Sequence, residues 1–126
     1  MGRQTVKYLL DSNIIIYHLN NDSIATDFIR KHQRECAISQ ITFIEVLSFD
    51  FSKEEELAVL EFLKTFAILN LDSNISLQAV KNRKVRKIRI PDNIIASTAQ
   101  FYDLILLTRN VSDFSSMDLK ILNIFN

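Results

Sequence analysis

Asp11, Glu45, Asp92 and Asp113 are the residues of this sequence whose types and setting point to chemistry. Asp11 follows the apolar run Tyr8-Leu9-Leu10, and Asp92 sits between Ile90-Pro91 and Asn93-Ile94-Ile95, flanks unusual for solvent-facing acids. Carboxylates gathered in a partly desolvated pocket repel one another, so at least one takes up a proton. A hard cation removes that repulsion, because Mg2+ or Mn2+ prefers oxygen ligands and retains several waters. Such an ion can orient and activate water against a phosphodiester and stabilise charge on the leaving oxygen. Each acid also has an ordinary reading. Asp11 suits a turn or helix cap, Glu45 suits a capping box with Thr42, Asp92 suits a helix start beside Pro91, and Asp113 suits a loop. Only the joint pattern separates the two readings.

The elements that must position these groups follow from hydrophobic periodicity. Residues 6–10 read as a short buried strand ending at Asp11, and residues 36–39 as a second. Between them, 13–18 and 24–32 have helical spacing, the latter with Ile24, Phe28 and Ile29 on one side and Arg30 and Lys31 on the other. Thr42 is placed to cap a helix carrying Ile44, Val46, Leu47 and Phe49. Ser52 is placed to cap a helix over 53–65, where Glu54, Glu55 and Glu56 suit the positive helix start. A third strand is predicted over 67–71, followed by a helix opened by Asp72 or Ser73 and running to about residue 84. Pro91 fits a first helical turn that continues over 93–102 and closes on Asp103 in the left-handed conformation glycine usually takes. Residues 104–107 make a fourth strand and 119–124 a weaker fifth. This alternation predicts a single α/β domain over 1–126 with a mainly parallel sheet of four to five strands. In such sheets ligands bind beyond the carboxyl ends of the strands, which is where these acids fall.

Composition narrows the function classes. With 48% apolar and 24% charged residues the chain is globular rather than disordered. A single cysteine, Cys36, allows no internal disulfide and suits a reducing cytoplasm. One glycine and one proline leave no material for the Gly-rich phosphate turns of P-loop or Rossmann sites. No apolar run approaches the roughly 20 residues a membrane span needs. The net charge is +0, so affinity for a polyanion must come from local placement. The run from Lys81 to Arg89 supplies it, with six cations in nine residues and no acid: Lys81, Arg83, Lys84, Arg86, Lys87 and Arg89. The same run also suits a solvated helix end whose charges favour the negative C-terminal dipole. Arg83, Lys84, Arg86, Lys87 and Arg89, just before Asp92, are the candidates for contact with such a polyanion.

Four stretches carry a family resemblance: Leu9-Leu10-Asp11-Ser12-Asn13-Ile14-Ile15-Ile16-Tyr17, Ser39-Gln40-Ile41-Thr42-Phe43-Ile44-Glu45-Val46-Leu47, Pro91-Asp92-Asn93-Ile94-Ile95-Ala96-Ser97-Thr98-Ala99 and Leu107-Thr108-Arg109-Asn110-Val111-Ser112-Asp113-Phe114. In this order, over essentially the whole chain, they resemble the motifs of the PIN-domain family, and specifically its VapC-type toxin ribonucleases. Ser12 stands where threonine is commoner, and Asp103 where glycine is usual. The resemblance implies a three-layer α/β/α fold and one or two Mg2+ or Mn2+ ions. Asp11 and Asp92 would be direct ligands, Glu45 and Asp113 direct or water-mediated ones. Asn13, Thr108 and Asn110 would orient waters or carboxylates behind them. It further implies endonucleolytic RNA cleavage by water, the toxin role in a type II toxin–antitoxin pair, an antitoxin laid into the groove, and a homodimer. His18 and His32 fall in none of the four stretches, which argues against a histidine mechanism. The alternative is a catalytically silent PIN-like module that binds RNA or protein. Such a module is expected to lose acids, and here all four positions are filled. A haloacid-dehalogenase-like phosphatase needs a second aspartate two residues after the first, where this chain has Asn13.

Overall fold

Alternate residues of a strand face opposite sides of its sheet, and here each side is covered by different helices. The computed structural model describes residues 5–125. Five parallel strands, β1 (Tyr8–Leu10), β2 (Cys36–Ser39), β3 (Ala67–Leu69), β4 (Ile105–Leu107) and β5 (Ile121–Leu122), lie in the order β3-β2-β1-β4-β5. The helices are α1 (Ser12–Leu19), α2 (Ser23–His32), α3 (Gln40–Leu47), α4 (Lys53–Leu63), α5 (Ser73–Val85) and α6 (Ile90–Tyr102). Leu10, Ile38 and Leu107 turn to one side and pack with Ile14 and Ile15 of α1, Ile29 of α2, Val46 of α3, and Val59 and Leu63 of α4. Leu9, Ala37 and Leu106 turn to the other and pack with Ile95, Ala96 and Ala99 of α6, together with Phe114. Helix α5 lies against α6 through side-chain amides. Asn82 Nδ2 donates to Asn93 Oδ1 (3.1 Å), Ser97 Oγ (3.0 Å) and Gln100 Oε1 (2.8 Å), and Asn93 Nδ2 donates to the Ala79 carbonyl at 2.9 Å. The result is the three-layer α/β/α arrangement with a parallel sheet. Among the described residues no helix is long and apolar enough to cross a membrane.

Several expected boundaries shift. The strands are shorter than the apolar runs that announce them, since pairing lasts only where a neighbour runs alongside. Residues 6 and 7, 70 and 71, and 104 lie outside the strands, and the weak fifth strand shrinks to Ile121–Leu122. The helix after β2 opens earlier than expected. Its cap is Ser39, which accepts from the Ile41 amide at 3.0 Å, while Thr42 is buried inside the helix. The box between Thr42 and Glu45 is therefore not formed. The box at Ser52 is formed, with the Ser52 hydroxyl and the Glu55 carboxylate each accepting from the other's backbone amide.

Helix α6 ends on Asp103 at φ 54° and ψ 49°, in the left-handed region. There a β-carbon crowds the carbonyl that follows, a cost glycine avoids. The Asp103 carboxylate accepts from Lys120 Nζ at 3.0 Å, but both side chains are largely exposed and such pairs contribute little. Replacing Asp103 by glycine is therefore expected to raise stability by about 0.5–1 kcal/mol in urea unfolding; a loss of stability would contradict this account of the cap.

Candidate active site

In a parallel sheet a crevice opens where neighbouring strands send their following chains to opposite sides. Here β1 leads to β2 on one side and pairs with β4 on the other, so the switch lies between β1 and β4. Leu10 pairs with Leu107, and Asp11 and Thr108 are the next residues along each strand. The Asp11 amide donates to the Leu107 carbonyl at 2.9 Å, carrying the register one step further. Thr108, wholly buried, donates its hydroxyl to Asp11 Oδ2 at 2.7 Å. Asp11 Oδ1 accepts from the Ser12 amide at 2.8 Å, so the residue also caps α1. Cap and site are the same carboxylate.

Glu45 reaches the crevice from α3. The Ser12 hydroxyl donates to Glu45 Oε1 at 2.6 Å and lies 3.0 Å from Thr42 Oγ1. With one proton to give, Ser12 serves the carboxylate and takes the Thr42 contact on a lone pair. Asp92 is the third residue of α6, where the positive end of the helix dipole favours a carboxylate. Asn93 beside it is buried and tied to α5, which holds this first turn in place. Asp113 is exposed and closes the 3-10 turn Val111–Asp113, anchored by Phe114, which is fully buried against Leu9, Ile95 and Leu106.

The electrostatics register this convergence. Burial pushes the Asp11 carboxyl up to about 6, against the hydrogen bonds from Thr108 and Ser12 and with the charges of Asp92 and Glu45 adding to the rise. Asp92 is also held above its ordinary value, by burial first, then by Asp113 and Glu45, with Arg89 opposing. Acids from four separate segments are thus coupled in pairs, Asp92 and Glu45 acting on Asp11, and Asp113 and Glu45 on Asp92. Their oxygen-only donor set suits a hard divalent cation. Asn13 Oδ1, two residues after Asp11, is buried with no hydrogen-bond partner among the described residues. Among the described residues, however, no three His, Cys, Asp or Glu side chains form a ready-made ligand cage. The set therefore fits an ion held by one or two direct carboxylates and completed by water, as Mg2+ commonly is.

The other expected residues divide. Asn110 meets Thr108 through its backbone amide, which donates to Thr108 Oγ1 at 3.0 Å. Arg83 donates to the Ile88 carbonyl at 3.1 Å and Arg86 to Ser116, so both tie protein segments together. Lys84 and Lys87 are exposed, and Arg89 adjoins Asp92 electrostatically. His18 Nδ1 meets Thr26 Oγ1 at 2.8 Å with its ring stacked on Phe62, and His32 Nδ1 meets Glu35 Oε1 at 2.8 Å. Burial drives the Cys36 thiol up to about 12, far from a nucleophile's range. The sequence paired Glu45 with Thr42 as a cap and did not single out Ser12, which contacts both. The usable signal was a hydroxyl directly after Asp11.

A family profile for the PIN domain matches residues 8–119. No curated protein matches the chain significantly. Among solved structures, the chain is similar to one in a toxin–antitoxin complex from Klebsiella pneumoniae, at 31% identity and TM-score 0.85, covering 95% of this chain and 99% of that one. It is similar to one in VapBC-1 from nontypeable Haemophilus influenzae, at 25% identity and TM-score 0.78, covering 96% and 100%. A chain in DNA-bound VapBC from Salmonella typhimurium shares the fold at 23% identity and TM-score 0.81, covering 94% and 98%. With the profile spanning most of its length and a 31% identical relative covering nearly all of it, the chain belongs to the PIN-domain family.

Proposed function

We propose that this single PIN-like domain is a divalent-metal-dependent endoribonuclease and the toxin of a type II toxin–antitoxin pair. The observation that supports the reading is that burial holds Asp11 and Asp92 above their ordinary pKa values, with Glu45 adding to both, Asp92 to Asp11 and Asp113 to Asp92. Asp11 and Asp92 would hold Mg2+ or Mn2+ directly, and Glu45 and Asp113 directly or through water. Bound there, the ion supplies an activated water and neutralises charge on the departing oxygen. Thr108 and Ser12 keep the Asp11 and Glu45 oxygens aimed, and Asn13 has a free oxygen for a water. Lys84, Lys87 and Arg89, leading into Asp92, offset the repulsion between acidic crevice and polyanion, with Arg83 and Arg86 shaping that stretch.

The toxin role is supported by the likeness to chains of toxin–antitoxin complexes. A cognate antitoxin would cover the crevice, and the chain would pair as a homodimer. Ile44 and Phe49, about half exposed around the end of α3, and Leu57 on α4 offer apolar surface for such partners.

Two outcomes test this reading. Purified wild-type chain is expected to cut RNA with Mn2+ and to stop with EDTA. Asp11→Asn and Asp92→Asn should lower the rate by at least about a hundredfold with circular dichroism unchanged; either variant cutting at the wild-type rate refutes the assignment. The second outcome is thermodynamic. Between its ordinary 3.8 and about 6, the folded chain keeps a proton on Asp11 that the unfolded chain has lost, so stability falls as pH rises through that window. Asp11→Asn should therefore stabilise the metal-free chain by about 1–3 kcal/mol near pH 7.5 and by little near pH 4, read by urea unfolding in EDTA. An Asp11→Asn chain no more stable than wild type near pH 7.5 would show that the Asp11 charge is not costly.

A further inference from the structure

Arg109 follows Thr108 at the end of β4 and lies over two aromatic rings. Its guanidinium carbon is 5.2 Å from the centre of the Tyr17 ring and 4.7 Å from that of Phe125, and the two rings are 5.1 Å apart. Arg109 lies two residues beyond the last residue of β4, and its contact with Tyr17 sets the guanidinium against α1. Tyr17 stands four residues after Asn13 and so shares its face of α1. One strand end thus carries Thr108 and Arg109, and one helix face carries Asn13 and Tyr17. Arg109 directly follows the residue that donates to Asp11, and Tyr17 lies on the helix that Asp11 caps.

The stack does an unusual thing with a cation. A surface arginine is ordinarily free, or neutralised by an acid. Arg109 is exposed, and among the described residues it forms no salt bridge. The rings attract the guanidinium through their faces, which restricts its motion, and no described acid takes its charge. A guanidinium so held is preorganised for a phosphate, whose oxygens it can meet with paired N–H bonds. Beside a crevice that repels polyanions, such a group selects where the backbone lies.

We propose that Arg109, held by Tyr17 and Phe125, is a phosphate-binding residue that seats the backbone of single-stranded RNA next to the carboxylate crevice. The position relative to the scissile phosphate rests on the nuclease reading; the RNA contact itself does not require cleavage. Tyr17 and Phe125 are positioning residues, acting through Arg109.

Fluorescence anisotropy with a labelled single-stranded RNA dodecamer, in EDTA and across a salt series, tests the contact without chemistry. Arg109→Ala should weaken binding by about five- to tenfold and lower the slope of log K against log salt by about 0.7, the share of one phosphate contact on a single strand. Arg109→Lys, which keeps the charge but not the fork, should restore the slope while leaving binding weaker than wild type. Tyr17→Leu, which frees the guanidinium without removing it, should weaken binding with the slope kept. An unchanged affinity and slope in Arg109→Ala, with wild-type circular dichroism, overturns the proposal. So does a slope that falls as far in Tyr17→Leu as in Arg109→Ala. Cleavage by the wild-type chain with Mn2+ is scored separately: its absence would sink the nuclease reading, while the salt slopes decide the Arg109 contact.

Discussion

One hydrogen bond joins the two halves of this molecule's chemistry. Thr108 donates to Asp11 across the β1–β4 junction, between residues 97 apart in the chain. The register places them: once Leu10 pairs with Leu107, the next residues on each strand must meet at the carboxyl edge of the sheet. The contact also makes the burial of a carboxylate tolerable. An acid only 7% exposed loses most of its hydration, and a hydroxyl and an amide offset part of that loss without supplying charge. The carboxyl remains above its ordinary pKa, so the fold holds a group that gains from a nearby positive charge.

The rest of the architecture serves that junction. Helices α1 to α4 cover one side of the sheet and α6 backed by α5 the other, and the crevice opens where those two sets part. Each acid is positioned by something buried behind it: Asp11 by Thr108, Glu45 by Ser12, Asp92 by the amides of Asn93 and Asn82, Asp113 by Phe114. The core thus fixes where the charges stand.

Much of this was readable beforehand because local and global preferences agree. Residues 36–39 are all buried and form the strand they announce, and Asp72, Ser52 and Asp103 act at helix ends as their types suggest. The reading failed where a distant contact outweighed a local one. Thr42 and Glu45 fit a capping box in sequence, but Ser12 on α1 claims Glu45, Thr42 is drawn inside, and Ser39 caps instead. Arg83 and Arg86 were indistinguishable from their neighbours until Ile88 and Ser116 came within reach. The stack of Arg109 on Tyr17 and Phe125 joins three segments that nothing in the linear order connects.

The central claim is that these carboxylates hold a hard dication at the β1–β4 crevice, and calorimetric titration of the metal-free chain with Mn2+ tests it most directly. The account predicts saturable binding of one or two ions near neutral pH, weakened at least about tenfold by Asp92→Asn. No saturable binding, or the same affinity in the Asp92 variant, would contradict it.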